Sequence, residues 1–178
     1  VAIVTNAGGP GIMATDAAER AGLKLAALSP ITIGALRAKL PPTAALYNPI
    51  DVVGDARADR YQAALELVKA DAGVDSILVL LTPQAMTEIE ETASIIVKES
   101  ANNDKPILAS FMGGTEVAAG IEILNRGGVP NYSFPERAVA ALAAMNRYRA
   151  WKATPQEKPR RFPADVALAA EVFRQARE

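Results

Sequence analysis

The chain has 178 residues, with 19 basic and 20 acidic side chains, a net charge of −1, and neither cysteine nor histidine. That balance offers no positive field to gather nucleic acid or an anionic membrane, and the two missing residue types exclude disulfides, thiolate and imidazole metal sites, cysteine nucleophiles and every triad built on histidine. Half of the residues are hydrophobic but only 5% are aromatic, so a disordered chain is excluded and the core must be built from Ala, Val, Ile and Leu, as in parallel sheets covered by helices.

Residues 1–5 form a short β-branched run, followed by the glycine-rich stretch 6–11 and a helical pattern reaching Gly22. A strand is expected at 25–28, a helix over 32–40, and then a proline-rich, irregular passage over 41–55, long enough for a connection to suggest function. A helix over 58–70 leads into 76–81, whose unbroken Ile, Leu and Val run marks a strand buried on both faces. The spacing predicts a helix over 86–100, a strand at 106–111, a loop at 112–115 and a helix over 117–126 ended by Gly127 and Gly128. A short strand at 131–134 and a helix over 135–151, with Pro135 in its first turn, complete the main body. Repeated strand and helix alternation argues for parallel strands joined by right-handed crossovers. The fold class expected is α/β, a flavodoxin-like doubly wound parallel sheet in three α/β/α layers, with ligands at the carboxyl ends of the strands.

Residues 1–151 are therefore taken as one domain, and 152–178 as a polar, proline-bearing linker (152–163) and an amphipathic helix (165–177) leading to a further domain. No apolar run approaches the ~20 residues of a membrane span, and the first residues do not resemble a signal peptide, so the expected location is cytoplasmic. Because Val1 already lies in a strand pattern, the chain reads as a domain cut from a longer protein.

The most informative segment is the turn Asn6-Ala7-Gly8-Gly9-Pro10-Gly11 between a buried strand and a helix. Glycine lets backbone N–H groups approach an anion closely, and the helix start adds a partial positive charge. Either phosphate binding or a merely tight strand-to-helix turn accounts for it; the pattern is neither GxGxxG nor a Walker loop. A second turn, Ser110 to Glu116 with Gly113 and Gly114, repeats the logic, with Thr115 as an alternative helix cap. In the third segment, Tyr47 to Asp55, Asn48 and Asp51 either position a substrate or satisfy loop amides.

In combination, TNAGGPGIMATD, NPIDVVGDA, SFMGG and PERAV resemble the carboxyl-terminal flavodoxin-like ligase domain of nucleoside-diphosphate-forming acyl-CoA synthetases. That group includes ADP-forming acetate:CoA ligases and belongs to the succinyl-CoA synthetase superfamily. The resemblance covers about residues 1–151 and implies that glycine-rich helix starts stabilise a phosphohistidine. Ala7, Gly8, Gly9 and Gly11 match the phosphate cradle; Pro10 has no N–H and contributes only shape. Asn6, Gly113 and Gly114 match positions that hold the acyl carboxylate or acyl phosphate, and Asn48, Asp51 and Gly54 match the loop beside them.

The absence of histidine puts the phosphorylated residue in another domain, so no catalytic residue and no metal site are expected in this chain, nor any cofactor bound by this domain alone. CoA, ATP or ADP and magnesium are expected for the full enzyme, with CoA-binding, histidine-bearing ligase and ATP-grasp domains as partners in an oligomer. Three alternatives differ in class: a regulatory acyl-CoA-synthetase-like domain of a protein lysine acetyltransferase, an FMN binder, and a non-catalytic interaction domain. An FMN site lacks an aromatic pair to sandwich the flavin ring.

Overall fold

The structure, a computed structural model, describes residues 1–101, 103–155 and 165–177. Four parallel strands form one sheet in the order β2-β1-β3-β4: β1 (Ala2–Thr5), β2 (Ile50–Asp51), β3 (Ile77–Leu81) and β4 (Ile107–Phe111). The register pairs Val4 with Ile50, Val4 with Val79, and Val79 with Ala109. All five side chains of β3 are buried, with Leu78 and Leu80 at zero exposure. Its unbroken apolar run is thus explained by cover on both faces.

Alternation along the strands sorts the core into two layers. On one face, Val4, Val79, Leu81 and Phe111 pack with residues of α2 (Pro30–Lys39), α3 (Ala58–Ala70), α4 (Ile89–Ala101) and α5 (Ala118–Arg126). On the other, Ile3, Leu78, Leu80 and Leu108 pack with Ala14 and Ala18 of α1 (Gly8–Arg20) and with Ala138, Val139 and Leu142 of α6 (Pro135–Ala153). This is the expected three-layer α/β/α arrangement. Small alanines on α1 and α6 let those helices lie close to the sheet.

The expected strand at 25–28 does not form. Only Val1 pairs there, its amino group donating to Lys24 O and its carbonyl accepting from Ala26 N. The expected strand at 131–134 reduces to one parallel bridge between Ala109 and Asn131. Conversely, β2 lies inside the passage read as irregular. The predicted start of α4 at 86 is replaced by a turn in which Thr87 N donates to Gln84 O, so the helix begins at Ile89.

The chain divides into a compact unit, Val1–Tyr148, and a second, Arg149–Glu178. α6 extends two residues past the predicted end at 151, and 156–163 of the predicted linker lies outside the described residues. In the second unit, α7 (Val166–Gln175) is capped by Asp165, whose side chain accepts from Leu168 N; none of its residues is buried.

Candidate functional site

Four loops leave the carboxyl ends of the four strands, and the strand order sets their sequence in space. The loop after β1 is the glycine turn. Thr5 folds it tightly, its hydroxyl donating to Ala7 O at 2.9 Å and accepting from Ala7 N at 3.0 Å. α1 starts at Gly8 with Ala7 as N-cap, and Ala7 has no side chain able to cap. The first helical bond runs from Gly11 N to Ala7 O at 3.3 Å. Pro10 has no donor, which leaves the N–H groups of Gly8 and Gly9 without an acceptor among the described residues. No acidic residue occupies the first turn. The start of α1 therefore presents two open donors at the positive end of its dipole.

The three glycines differ in what surrounds them. A Cβ on Gly9 would meet nothing within 4 Å, whereas one on Gly11 would stand 3.3 Å from Thr5 Cγ2 and 3.6 Å from Pro49 Cβ. Packing against Pro49 thus accounts for Gly11, while no protein atom fills the space over Gly9. Beside Gly8 lies a carboxylate, Asp51 Oδ2, 3.8 Å from where a Cβ would be.

Asn48 and Asn6 are both engaged with the fold. Asn48 Oδ1 accepts from Ile3 N at 2.9 Å, and Nδ2 donates to Val1 O and Ala26 O at 2.8 and 3.1 Å. Its side chain continues the edge of β1 between the single pair at Ala26 and the ladder with β2. The peptide bond Asn48-Pro49 is cis. Asn6, 2% exposed, clamps the ends of β1 and β3: Nδ2 donates to Thr82 O, and Oδ1 accepts from Thr82 N and from its hydroxyl. The backbone of Asn6 still faces the site, since its carbonyl oxygen is 3.8 Å from a Cβ placed on Gly54.

Asp51 Oδ1 accepts from Val53 N at 2.8 Å, and Val53 O accepts from Ala56 N. Between these bonds Val53 adopts φ +73°, a left-handed conformation that costs a β-branched residue about 1–3 kcal/mol. Arg60 anchors the same loop through Val52 O and the Asp55 carboxylate, and its hydrogen bond holds the Asp55 pKa below the ordinary value. Underneath, the buried Tyr61 hydroxyl donates to Leu80 O at 2.9 Å; burial, with the Asp51 charge added, pushes its pKa well above the usual phenol value.

The second glycine turn follows β4. A Cβ on Gly113 would collide with Pro83, 2.6 Å from its Cγ, and Gly114 adopts φ +58°. Close packing explains the first glycine and a left-handed backbone the second. Because β3 lies between β1 and β4, the two turns are separated by Thr82-Pro83-Gln84. That segment was not singled out in the sequence, although it follows the most strongly apolar strand, where a crevice residue belongs. Ile12 and Met13 of α1, Met86 in the turn before α4 and Phe134 before α6 are exposed by 65, 41, 45 and 59%.

Among the described residues no three Asp or Glu side chains gather as a metal site, so the magnesium implied by the resemblance finds no cluster here. The strand ends offer backbone donors, one free carboxylate oxygen and a carboxamide. They can bind and orient an anion, but they contain no nucleophile activated by a base.

A family profile described as the Ligase-CoA domain matches residues 1–155. The chain is 39% identical over 148 residues to an ADP-forming acetate–CoA ligase I of Archaeoglobus fulgidus, covering 83% of this chain and 21% of that one. It is 44% identical over 150 residues to the alpha subunit of an ADP-forming acetate–CoA ligase II of Pyrococcus furiosus, covering 82% and 33%. Among solved structures, an acetyl-coenzyme A synthetase 1 of Ca. Korarchaeum cryptofilum in complex with phosphate and ADP superposes with a TM-score of 0.79 at 31% identity, over 88% of this chain and 35% of that one. The chain thus spans between a fifth and about a third of the length of these relatives. With the profile spanning the whole sheet and its covering helices, the chain belongs to the Ligase-CoA domain family.

Proposed function

We propose that this domain is one part of an ADP-forming acid:CoA ligase catalysing acid + ATP + CoA ⇌ acyl-CoA + ADP + phosphate. Its role is to offer the start of α1 to a phosphohistidine carried by another domain and to line the acyl and phosphate site. Gly8, Gly9 and the turn at Ala7 and Gly11 form the cradle; Asn6, Asp51, Gly54, Gly113 and Gly114 shape its walls, and Asn48 fastens the neighbouring loop to the edge of β1. One observation carries the reading: Gly8 and Gly9 present N–H groups with no acceptor among the described residues, and a Cβ on Gly9 would meet no atom within 4 Å. Fixed donors of this kind stabilise phosphoryl charge without reorganisation. The relatives support the reaction: two are ADP-forming acetate–CoA ligases by name, and the acetyl-coenzyme A synthetase 1 structure is a complex with phosphate and ADP. CoA-binding, histidine-bearing and ATP-grasp domains would supply the remaining chemistry and any magnesium, in an oligomeric cytoplasmic enzyme.

The test is Gly9→Val in the intact ligase. A Cβ at this position meets no atom of the fold within 4 Å, while the branched side chain it carries would enter the space the phosphoryl group needs. Loss of one or two charge-assisted contacts, at about 1.5–3 kcal/mol each, lowers phosphohistidine formation by about one to a few orders of magnitude. Labelling with radioactive phosphate from ATP measures it, and thermal melts report on folding. Full labelling in a well-folded variant refutes the cradle.

A further inference from the structure

An anion at the strand ends needs donors, and several of the polar side chains described there are engaged, although Ser110 Oγ is buried without a partner among the described residues. Asn6 closes on Thr82, Asn48 on the edge of β1, and Thr5 on Ala7. The remaining oxygen of Asp51 is an acceptor, which repels an anion. Gln84 differs. It follows the central strand, between the two glycine turns: Pro83 lies against Gly113, and Gln84 Cγ stands 3.9 Å from a Cβ placed on Gly54.

Its backbone is fixed from both sides, since Gln84 N donates to the Thr87 hydroxyl at 3.0 Å and Gln84 O accepts from Thr87 N at 3.0 Å. Its side chain is exposed. Nε2 lies 3.4 Å from Thr82 Oγ1, a long and weak contact, and Oε1 accepts no hydrogen bond from the described residues. Thr82 Oγ1 in turn donates to Asn6 Oδ1 at 3.2 Å. The single contact with Thr82 restrains the carboxamide only weakly, so both N–H groups are available to a ligand.

We propose that Gln84 is the side-chain donor with which this domain binds an anionic substrate oxygen, that of the acid's carboxylate or of phosphate. The assignment rests on the ligase reading above and adds to it the residue that grips the small anion. Gln84 is not a general base; it binds and orients.

The experiment compares Gln84→Ala and Gln84→Glu in the intact ligase, measuring KM for acid in the forward direction and for phosphate in the reverse. Losing a hydrogen bond to a charged group raises the relevant KM about tenfold or more. Gln84→Glu places a negative charge against the anion and raises it further. KM for CoA and ATP changes less than twofold by the same reasoning, and the melting temperature holds because the side chain is exposed. A rise for the acid alone identifies a carboxylate contact, a rise for phosphate alone a phosphoryl contact, and a rise for both a shared site. Unchanged KM for acid and phosphate in both variants overturns the assignment, as does a uniform rise for all substrates with a lowered melting temperature. The two readings separate cleanly: Gly9→Val without labelling beside normal Gln84 variants removes only the Gln84 assignment. Normal labelling of Gly9→Val removes the cradle instead, and the KM values alone then decide for Gln84.

Discussion

At the scale of single residues, Asn48 shows how a side chain in a functional loop can be spent on the fold. Its three hydrogen bonds fill a gap in the edge of β1 where neither the Ala26 segment nor β2 reaches. Asn48→Ala leaves Ile3 N without an acceptor and Ala26 O without a donor, while Val1 O keeps its bond from Ala26 N; the loss costs about 1–3 kcal/mol. Denaturant midpoints of the variant should fall accordingly; a loss under about 0.5 kcal/mol would mean that water takes over the edge. In the sequence Asn48 and Asn6 look alike, and a choice between gripping a substrate and satisfying the backbone stays open. The partners that decide it lie 45 and 76 residues away, beyond any local signal. Gly11 and Gly113 read as cradle and substrate glycines, and the atoms that explain their missing Cβ, on Pro49 and Pro83, are equally remote in sequence.

At the scale of elements, Asp71 ties three together. Its backbone N–H closes the end of α3 by donating to Val68 O, and its carboxylate accepts from Ser29 N at the start of α2 and from Gly73 N in the turn into β3. Burial acts to raise its pKa, but the hydrogen bonds from the Thr32 side chain, Ser29 N and Gly73 N outweigh it and bring the value down to about 2. A carboxyl with a depressed folded pKa stabilises the fold fully above its unfolded value near 3.8, and that contribution is lost as pH falls towards 2. Stability measured from pH 5 to pH 2 should therefore drop more steeply in the wild type than in Asp71→Asn, which starts lower at pH 5. Parallel slopes would show that the depressed pKa does not contribute. Helices were legible because their apolar spacing is local; the 58–70 prediction coincides with α3. Short strands were not, because two residues such as Ile50 and Asp51 carry no period, and because 25–28 has only Val1 beside it to pair with.

At the scale of the whole molecule, strand order creates the site. Alternating strands and helices in the sequence establish a doubly wound sheet, but nothing in it states that β3 stands between β1 and β4, and so the Thr82-Pro83-Gln84 segment at the centre passed unnoticed. With that order the open donors of Gly8 and Gly9 sit at the carboxyl edge, where the fold leaves room for an anion. Two charge-assisted contacts of about 1.5–3 kcal/mol each, reduced by the entropy of capturing a small ion, correspond to a dissociation constant on the order of millimolar. The isolated chain should accordingly bind inorganic phosphate weakly without turning over substrates, since it holds no histidine to phosphorylate. Titration with phosphate should shift the amide resonances of Gly8, Gly9 and their neighbours in residues 7–12 selectively. Gly9→Val should diminish the effect, and added sodium chloride should weaken it by screening the helix terminus. Shifts spread evenly over the surface, unaltered by Gly9→Val, would instead make the turn a purely structural junction between β1 and α1.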